Sequence, residues 1–410
     1  MDQHKLFRTI KHLAEEKFRT EEQLLAHILE QVIANEDIPI KGGRVWKFDA
    51  SNGTYRLIHQ AGDVEPIAKN FRIKIADYPA IRQLYKKGTI VETETNKYLR
   101  LRGIKHYSAT GLGEKISWKS ETLYQYLLAI NAEYLKHDMV YTLNILATAL
   151  TSSLMSRRSA KKAKLLQADL DKARAIQQSI LPGHEFKFAQ YDLYGVSVPE
   201  RVVGGDFFDY LQVKEDKDRL GVAIGDAASK GFSAAAQALY VSGALRMGVE
   251  FQTKMSHLLN RINEMVNRTF TAEHFISMVY AEFTNSENGL VFYVNAGHSN
   301  PILLHTASNE AERLKATGQM LGPFPNEKYR TEFTVMKPGD ILLLYTDGIS
   351  EAANDRQELF GEHRLIHLLR EHQKETPKQI CQAILQEVQT HGTREEYSDD
   401  KTLVVIKRNR

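Results

Sequence analysis

The feature that most constrains this chain is residues 137–181, whose pattern predicts one nearly continuous helix. Its apolar residues recur at spacings of three and four and form two stripes, separated by the basic stretch SRRSAKKAK. The stripes are Leu143, Leu146, Leu150 and Leu154, and then Leu166, Leu170, Ala173, Ile176 and Ile180. This spacing is typical of a coiled coil, and Pro182 followed by Gly183 predicts the end of the helix. We therefore predict a coiled-coil-like helical linker at 141–183.

The linker divides a chain of 410 residues, which is long enough for a domain on each side. We expect an N-terminal helical segment at 1–19, one domain at 20–140 and a larger domain at 184–410. An amphipathic helix between two domains favours pairing with a second copy, so we expect a homodimer through the linker. The alternative is a plain helix within one domain.

The charge balance and cysteine count exclude several classes of protein. There are 54 basic and 51 acidic residues, for a formal net charge of +3, so neither a nucleic-acid nor a membrane partner is implied. The single cysteine, Cys381, cannot form an intrachain disulfide and fits a reducing compartment. The charged N-terminus is unlike a signal peptide, and no apolar run approaches the roughly 20 residues of a membrane span. These features predict a cytoplasmic protein.

The domain at 20–140 mixes helical and strand-like patterns. EEQLLAHILEQVI has apolar residues at helical spacing, and GRVWKFDASNGTYRLIHQAG indicates two strands around an Asn-Gly turn. A helical piece, AIRQLYKKG, precedes the strand-like stretches TIVETET and LYQYLLAINAEYL. This order predicts an α+β domain and resembles a GAF-type sensor domain. The resemblance implies a ligand or protein partner there, whose identity the sequence leaves open.

The second half of the chain is also α+β, because blocks of strands follow blocks of helices. Its acids recur where apolar strands begin or end. RLGVAIGD ends in Asp226, DILLLYTDG contains Asp347, SDDKTLVV contains Asp399 and Asp400, and VVGGD ends in Asp206. A buried carboxylate is costly unless it is paired, and no run of Lys or Arg suits all of these places. Convergent carboxylates without basic partners are the ligands that Mg²⁺ and Mn²⁺ prefer, so we predict a divalent-cation site.

Seven motifs, found in a fixed order, then carry a family resemblance. They are VVGGDFFDY, IGDAASKGFSAAA, FISMVYAEFT, VNAGHSNPILL, LLLYTDGISEAAN, LFGEHRL and SDDKTLVV. Together they resemble the metal-dependent serine/threonine protein phosphatases of the protein phosphatase 2C (PP2C, or PPM) superfamily, above all the bacterial SpoIIE/RsbU-type branch. The resemblance covers residues 184–410. It implies a central β-sandwich flanked by helices, with two Mn²⁺ or Mg²⁺ ions at one end.

The resemblance also implies roles for individual residues. The implied catalytic acids, which are also metal ligands, are Asp206, Asp226, Asp347 and Asp399. Asp226 would bridge both ions, the carbonyl of Ala227 would help to hold one, and Asp400 is a further candidate ligand. The implied reaction is attack of a metal-activated water on phosphorus, without a phosphoenzyme. The implied substrate is phosphoserine or phosphothreonine on a partner protein, typically a STAS-type anti-anti-sigma factor, in sigma-factor regulation controlled by the sensor through the linker.

Three positions depart from the wider family. Ser229 replaces a glycine, Ala228 replaces a histidine proposed to protonate the leaving group, and Val202 replaces a phosphate-binding arginine. The first affects a turn, and the second leaves water or metal to assist the leaving oxygen. His298 is expected to be hydrogen-bonded rather than catalytic, and Asp209 is expected to form a local salt bridge.

Two other functions are compatible with parts of these motifs. The glycine pair before Asp206 is also found in cyclic-dinucleotide cyclases, but those require glutamate where Phe207 stands. The stronger rival is a catalytically inactive sensor or scaffold that binds a signalling partner. Against it, every expected metal-binding position holds an acid.

Overall fold

The computed structural model describes residues 18–34, 40–92, 100–101, 106–132, 137–200, 202–212, 216–251, 253–271, 273–392 and 399–409. The chain forms two compact units, Met1–Leu165 and Leu166–Arg410. Most of the helical segment predicted at 1–19 lies outside the described residues.

The N-terminal unit is built on a six-stranded antiparallel sheet in the order β3-β2-β1-β6-β5-β4. Its strands are β1 Ile40–Asp49, β2 Thr54–Gly62, β3 Arg72–Lys74, β4 Thr89–Glu92, β5 Tyr107–Trp118 and β6 Glu121–Ala132. Its helices are α1 Glu21–Ile33 and the short α2 Leu84–Lys87, and two 3₁₀ segments span Ile75–Asp77 and Pro79–Gln83. Thr20 and Gln23 form a capping box that fixes the start of α1. The unit is α+β, as its sequence pattern predicts.

The long helix α3, His137–Ile180, begins inside this N-terminal unit. Its first apolar stripe is buried there, with exposed fractions of 0–3%, in the same cluster as α1. The second stripe is different, since Leu166 and Ile176 are 61% and 58% exposed. Helical periodicity is the same for both stripes, but only the second presents an open apolar face.

Helix α3 also has to be considered as a possible membrane-spanning helix. It is the one helix in the described part of the chain that is long and apolar enough to span a membrane. The four leucines of its first stripe already pack in a protein core, so length and composition are weak evidence for a span.

The C-terminal unit is a sandwich of two antiparallel sheets, as the family resemblance implies. The five-stranded sheet has the order β15-β12-β11-β10-β9, and the six-stranded sheet has the order β14-β13-β16-β17-β8-β7. The strands are β7 Glu185–Phe188, β8 Tyr191–Val198, β9 Phe207–Leu211, β10 Arg219–Ala227, β11 Ile276–Thr284, β12 Leu290–Ala296, β13 Ile302–His305, β14 Glu310–Arg313, β15 Glu332–Val335, β16 Ile341–Tyr345 and β17 Lys401–Arg408.

Helices cover both outer faces of the sandwich. The helices are α4 Phe232–Glu250, α5 Met255–Thr269, α6 Asp347–Ser350, α7 Gly361–Glu371 and α8 Pro377–His391. Helices α4 and α5 pack on the five-stranded sheet, and α7 and α8 pack on the six-stranded sheet. Leu342 and Leu344 therefore face the other sheet, while Leu343 faces helices. Burial on both faces explains why β16 is a continuous apolar run.

Candidate metal centre

Strand pairing gathers the predicted acids at one end of the sandwich. In the five-stranded sheet, Gly225 of β10 pairs with Phe207 of β9, which places Asp226 beside Asp206. In the other sheet, β16 pairs with β17, so Asp347, two residues after β16, lies near Asp399, two residues before β17. A hydrogen bond then joins the two sheets, because Thr346 Oγ1 donates to Asp206 Oδ2 at 2.7 Å.

The carboxylate of Asp400 holds the glycine loop that precedes β9. Its Oδ2 accepts the backbone N–H of Gly205 at 2.5 Å and of Asp206 at 3.3 Å, and its Oδ1 accepts the N–H of Glu200 at 2.8 Å. A Cβ at Gly204 would collide with this carboxylate. Glycine is therefore required at that position by a close approach of side chain to backbone.

Burial and neighbouring negative charges raise the pKa of Asp206, Asp226 and Asp347. Burial, followed by the charges of Asp347 and Asp399, raises the pKa of Asp226 to about 7. Burial also raises the pKa of Asp206 well above its usual range, with further contributions from Asp226 and Asp400. For Asp347, burial again comes first and the charge of Asp399 second. Several carboxylates close together at a partly buried site favour the binding of either protons or metal cations.

The donor set fits a divalent cation by its chemistry. Every acid offers carboxylate oxygens, which Mg²⁺ and Mn²⁺ prefer. Lys230 Nζ lies 3.8 Å from Asp399 Oδ2, and Lys401 Nζ lies 3.4 Å from the backbone carbonyl oxygen of Asp399. In the described part of the chain, no three acidic, histidine or cysteine side chains stand close enough to hold an ion without rearranging. Side chains that repel one another are expected to close inward only around a positive charge.

Two neighbouring residues behave as the sequence predicts. His298 is buried and its Nδ1 lies 2.7 Å from Ser277 Oγ. Burial lowers the pKa of His298 to about 4, so the ring is neutral at pH 7. Asp209 forms its predicted local salt bridge, with Nε of Arg246 donating to Oδ2 at 2.5 Å.

Sequence reasoning missed two residues that contact the site. Thr346 is fully buried, and besides its bond to Asp206 its Oγ1 accepts the N–H of Thr402 at 3.1 Å. Gln177 of α3 is 7% exposed, and its Nε2 donates to the carbonyl of Gly204 at 2.7 Å. The N–H of Gly204 returns a bond to Gln177 Oε1 at 3.3 Å. The position of Thr346 directly before the predicted ligand Asp347 could have indicated its role. No pattern in the linker helix marks Gln177 as a residue that contacts the site.

Comparison with known proteins defines the class of the C-terminal domain. The PP2C domain of SiaA from Pseudomonas aeruginosa superimposes with a TM-score of 0.52 at 21% identity, over 60% of this chain and 99% of that domain. The C-terminal domain therefore has the PP2C phosphatase fold. Residues 216–409 match the family model described as Stage II sporulation protein E. This part of the chain is therefore similar to the SpoIIE family.

Two curated relatives align with much of the chain. Protein IcfG of Synechocystis is 28% identical over 268 residues, which are 59% of this chain and 42% of that protein. Phosphoserine phosphatase RsbU of Bacillus subtilis is 26% identical over 253 residues, which are 59% of this chain and 71% of RsbU. The chain thus spans less than half the length of IcfG.

Proposed function

We propose that this protein is a metal-dependent protein serine/threonine phosphatase that works in the cytoplasm. The observation that carries the proposal is the gathering of Asp206, Asp226, Asp347 and Asp399 at one end of a PP2C-fold sandwich that matches the SpoIIE family model. The raised pKa values of Asp206, Asp226 and Asp347 support a role for this centre in holding two Mn²⁺ or Mg²⁺ ions.

Each residue at this centre has a part in the proposal. Asp226, with the carbonyl of Ala227, and Asp206, Asp347 and Asp399 would hold the ions. Asp400 uses both carboxylate oxygens on backbone N–H groups, so we assign it to positioning the glycine loop. Bound divalent ions would supply charge neutralisation at phosphate and a lowered pKa for water. Ala228 has no proton to give, so solvent would protonate the leaving serine or threonine oxygen.

The proposed substrate is a phosphorylated partner protein, with a STAS-type anti-anti-sigma factor as the specific candidate. RsbU, a relative at 26% identity, is described as a phosphoserine phosphatase. The centre is also open enough for a residue on a folded partner, because the Asp399 side chain is 51% exposed.

The first experiment measures hydrolysis of p-nitrophenyl phosphate by the full chain with Mn²⁺, Mg²⁺ or EDTA. The same preparations are then given a phosphoserine-bearing STAS protein from the same genome and an unrelated phosphoprotein. Metal-dependent turnover with preference for the STAS protein supports both parts of the proposal. Turnover without that preference would contradict a STAS-type protein as the substrate. Binding of the STAS protein without turnover would favour the alternative, a catalytically inactive scaffold.

Control of this centre is proposed to run through the end of α3. Besides the two bonds between Gln177 and Gly204, the carbonyl of Ile180 accepts a bond from Arg246 Nη2 of α4 at 2.6 Å. The end of the linker thus contacts both the loop before Asp206 and the helix that follows Asp226. A GAF-like N-terminal domain would act by shifting α3 between two discrete positions.

The Gln177→Leu variant is expected to raise the Mn²⁺ concentration needed for half-maximal activity about tenfold. It removes two hydrogen bonds of roughly 1 kcal/mol each from the loop that carries Asp206. The matched control is Gln178→Leu, at the neighbouring exposed position. Activity is measured against Mn²⁺ concentration for the wild type and both variants. Equal Mn²⁺ requirements in all three would show that Gln177 does not support the metal centre.

The second stripe of α3 supports the proposed homodimer. Leu166 and Ile176 are more than half exposed, so this part of α3 presents apolar side chains that a second copy could cover. We expect the full chain to have the molar mass of a dimer by light scattering and an Ile176→Asp variant to dissociate. A wild-type chain that stays monomeric at micromolar concentration contradicts pairing through the linker.

A further inference from the structure

The N-terminal unit contains a partly open cavity of about 50 Å³ on one face of its sheet. It lies between strands β1, β5 and β6 on one side and the 3₁₀ segments on the other. Most of its wall is apolar, with Trp46, Ile81 and Leu127 among its lining residues. At roughly 10–15 Å³ per water in this measure, the space would hold three to five waters or a molecule of a few heavy atoms.

A cationic side chain enters this apolar wall. Arg44 of β1 is 2% exposed, so its guanidinium is almost completely removed from solvent. Its Nη1 donates to Asn131 Oδ1 and its Nη2 donates to the carbonyl of Glu65, both at 2.9 Å. Both acceptors are neutral, and Nε has no hydrogen-bond partner within the described residues.

Within the described residues, the charge of Arg44 therefore has no counter-charge. No carboxylate forms an ion pair with it in the described part of the chain, although buried charges are normally paired. Burial lowers the pKa of Arg44 to about 10, so the group still carries its charge at pH 7. A purely structural role accounts for the two hydrogen bonds that Arg44 donates. Both acceptors are neutral, however, so a neutral donor could make the same bonds without burying a charge.

We propose that this cavity binds a small organic monoanion, namely a short-chain carboxylate, with Arg44 as its counter-ion. The planar guanidinium matches a carboxylate in charge and shape, and its unused Nε–H is a ready donor. The apolar wall would contact the short tail of the ligand, and the volume limits that tail to a few carbons. The inference concerns the N-terminal unit alone and stands whether or not the C-terminal domain is a phosphatase.

The test uses the purified full chain and isothermal titration calorimetry with acetate, propionate and butyrate at constant ionic strength. Propionamide, which has the size of propionate without its charge, is the matched ligand control, and chloride and nitrate are the inorganic controls. We expect saturable binding of the carboxylates and none of propionamide. Equal heats from propionate and propionamide overturn the role of Arg44, and equal binding of nitrate and propionate overturns the role of the apolar wall.

Variants locate the site. Arg44→Met should weaken propionate binding at least tenfold, whereas Arg56→Met, on the neighbouring strand and outside the cavity, should leave it unchanged. Because Arg44 also holds two neighbours, its replacement could unfold the unit. Ala109→Leu provides the second route, since it fills the cavity and leaves both contacts of Arg44 intact. Full binding by a folded Ala109→Leu variant excludes this cavity.

Discussion

The Asp226→Asn variant is expected to lose at least about 100-fold of metal-dependent phosphatase activity without losing stability. Removing a residue that merely supports a metal ligand typically costs 10–100-fold, so loss of a ligand should cost more. Asp226 lies in the middle of the acids, since its pKa responds to Asp347, Asp399 and Asp400. An amide there removes a negative charge from a repelling group, so the metal-free variant should be at least as stable as the wild type.

This pairing of effects is what distinguishes a metal ligand from a structural residue. Thermal unfolding in EDTA and in Mn²⁺ is measured beside the activity assay. Mn²⁺ should raise the unfolding temperature of the wild type but not of the variant, because only the wild type binds the ion in its folded state. The control is Asp218→Asn, the same change just before β10 begins, at an exposed position away from Asp226. If the Asp226→Asn variant keeps its activity, Asp226 is not a metal ligand and the proposed arrangement of ligands is wrong.

The sequence predicts which acids meet, but not what holds them. An apolar run that stops at an acid is visible in β10 and β16, and pairing of such strands brings their ends together. The bond of Thr346 to Asp206 spans 140 positions and that of Gly205 to Asp400 spans 195. Such contacts depend on how two sheets stack, and no local pattern encodes that stacking.

The long helix α3 is a second case in which the sequence pattern predicts a feature but not its contacts. Spacings of three and four predict that one face is apolar, and both stripes of α3 satisfy the pattern. Whether that face meets a domain core or another chain depends on what lies opposite. Leu146, at 1% exposure, packs in the core of the N-terminal unit, whereas Leu166 faces outward. Short edge strands such as β14 and β15 have only four residues each, which is too few for an alternating apolar pattern to be recognised.

Replacing Arg246 by methionine is expected to destabilise the C-terminal unit by about 2–3 kcal/mol, near the lower end of the cost of breaking a buried ion pair. Asp209, whose side chain is 3% exposed, would lose both guanidinium bonds, while the 41% exposure of Arg246 moderates the effect. The loss should be smaller at pH 5 than at pH 8. Burial already raises the pKa of Asp209 and Arg246 opposes this, so the variant's pKa rises further. A carboxyl with a raised folded-state pKa costs stability as pH rises above its unfolded value of roughly 3.9.

Two spectroscopic signals make this prediction specific to one unit. Both tryptophans, Trp46 and Trp118, belong to the N-terminal unit, so their fluorescence follows its unfolding alone. In urea, the far-UV circular dichroism transition of the C-terminal unit should move in Arg246→Met, while the fluorescence transition stays in place. The double variant Arg246→Met with Asp209→Leu should recover most of the loss, because it leaves no buried charge unpaired. If the double variant is as unstable as the single one, the packing of the Arg246 stem is what stabilises this region, and the ion pair contributes little.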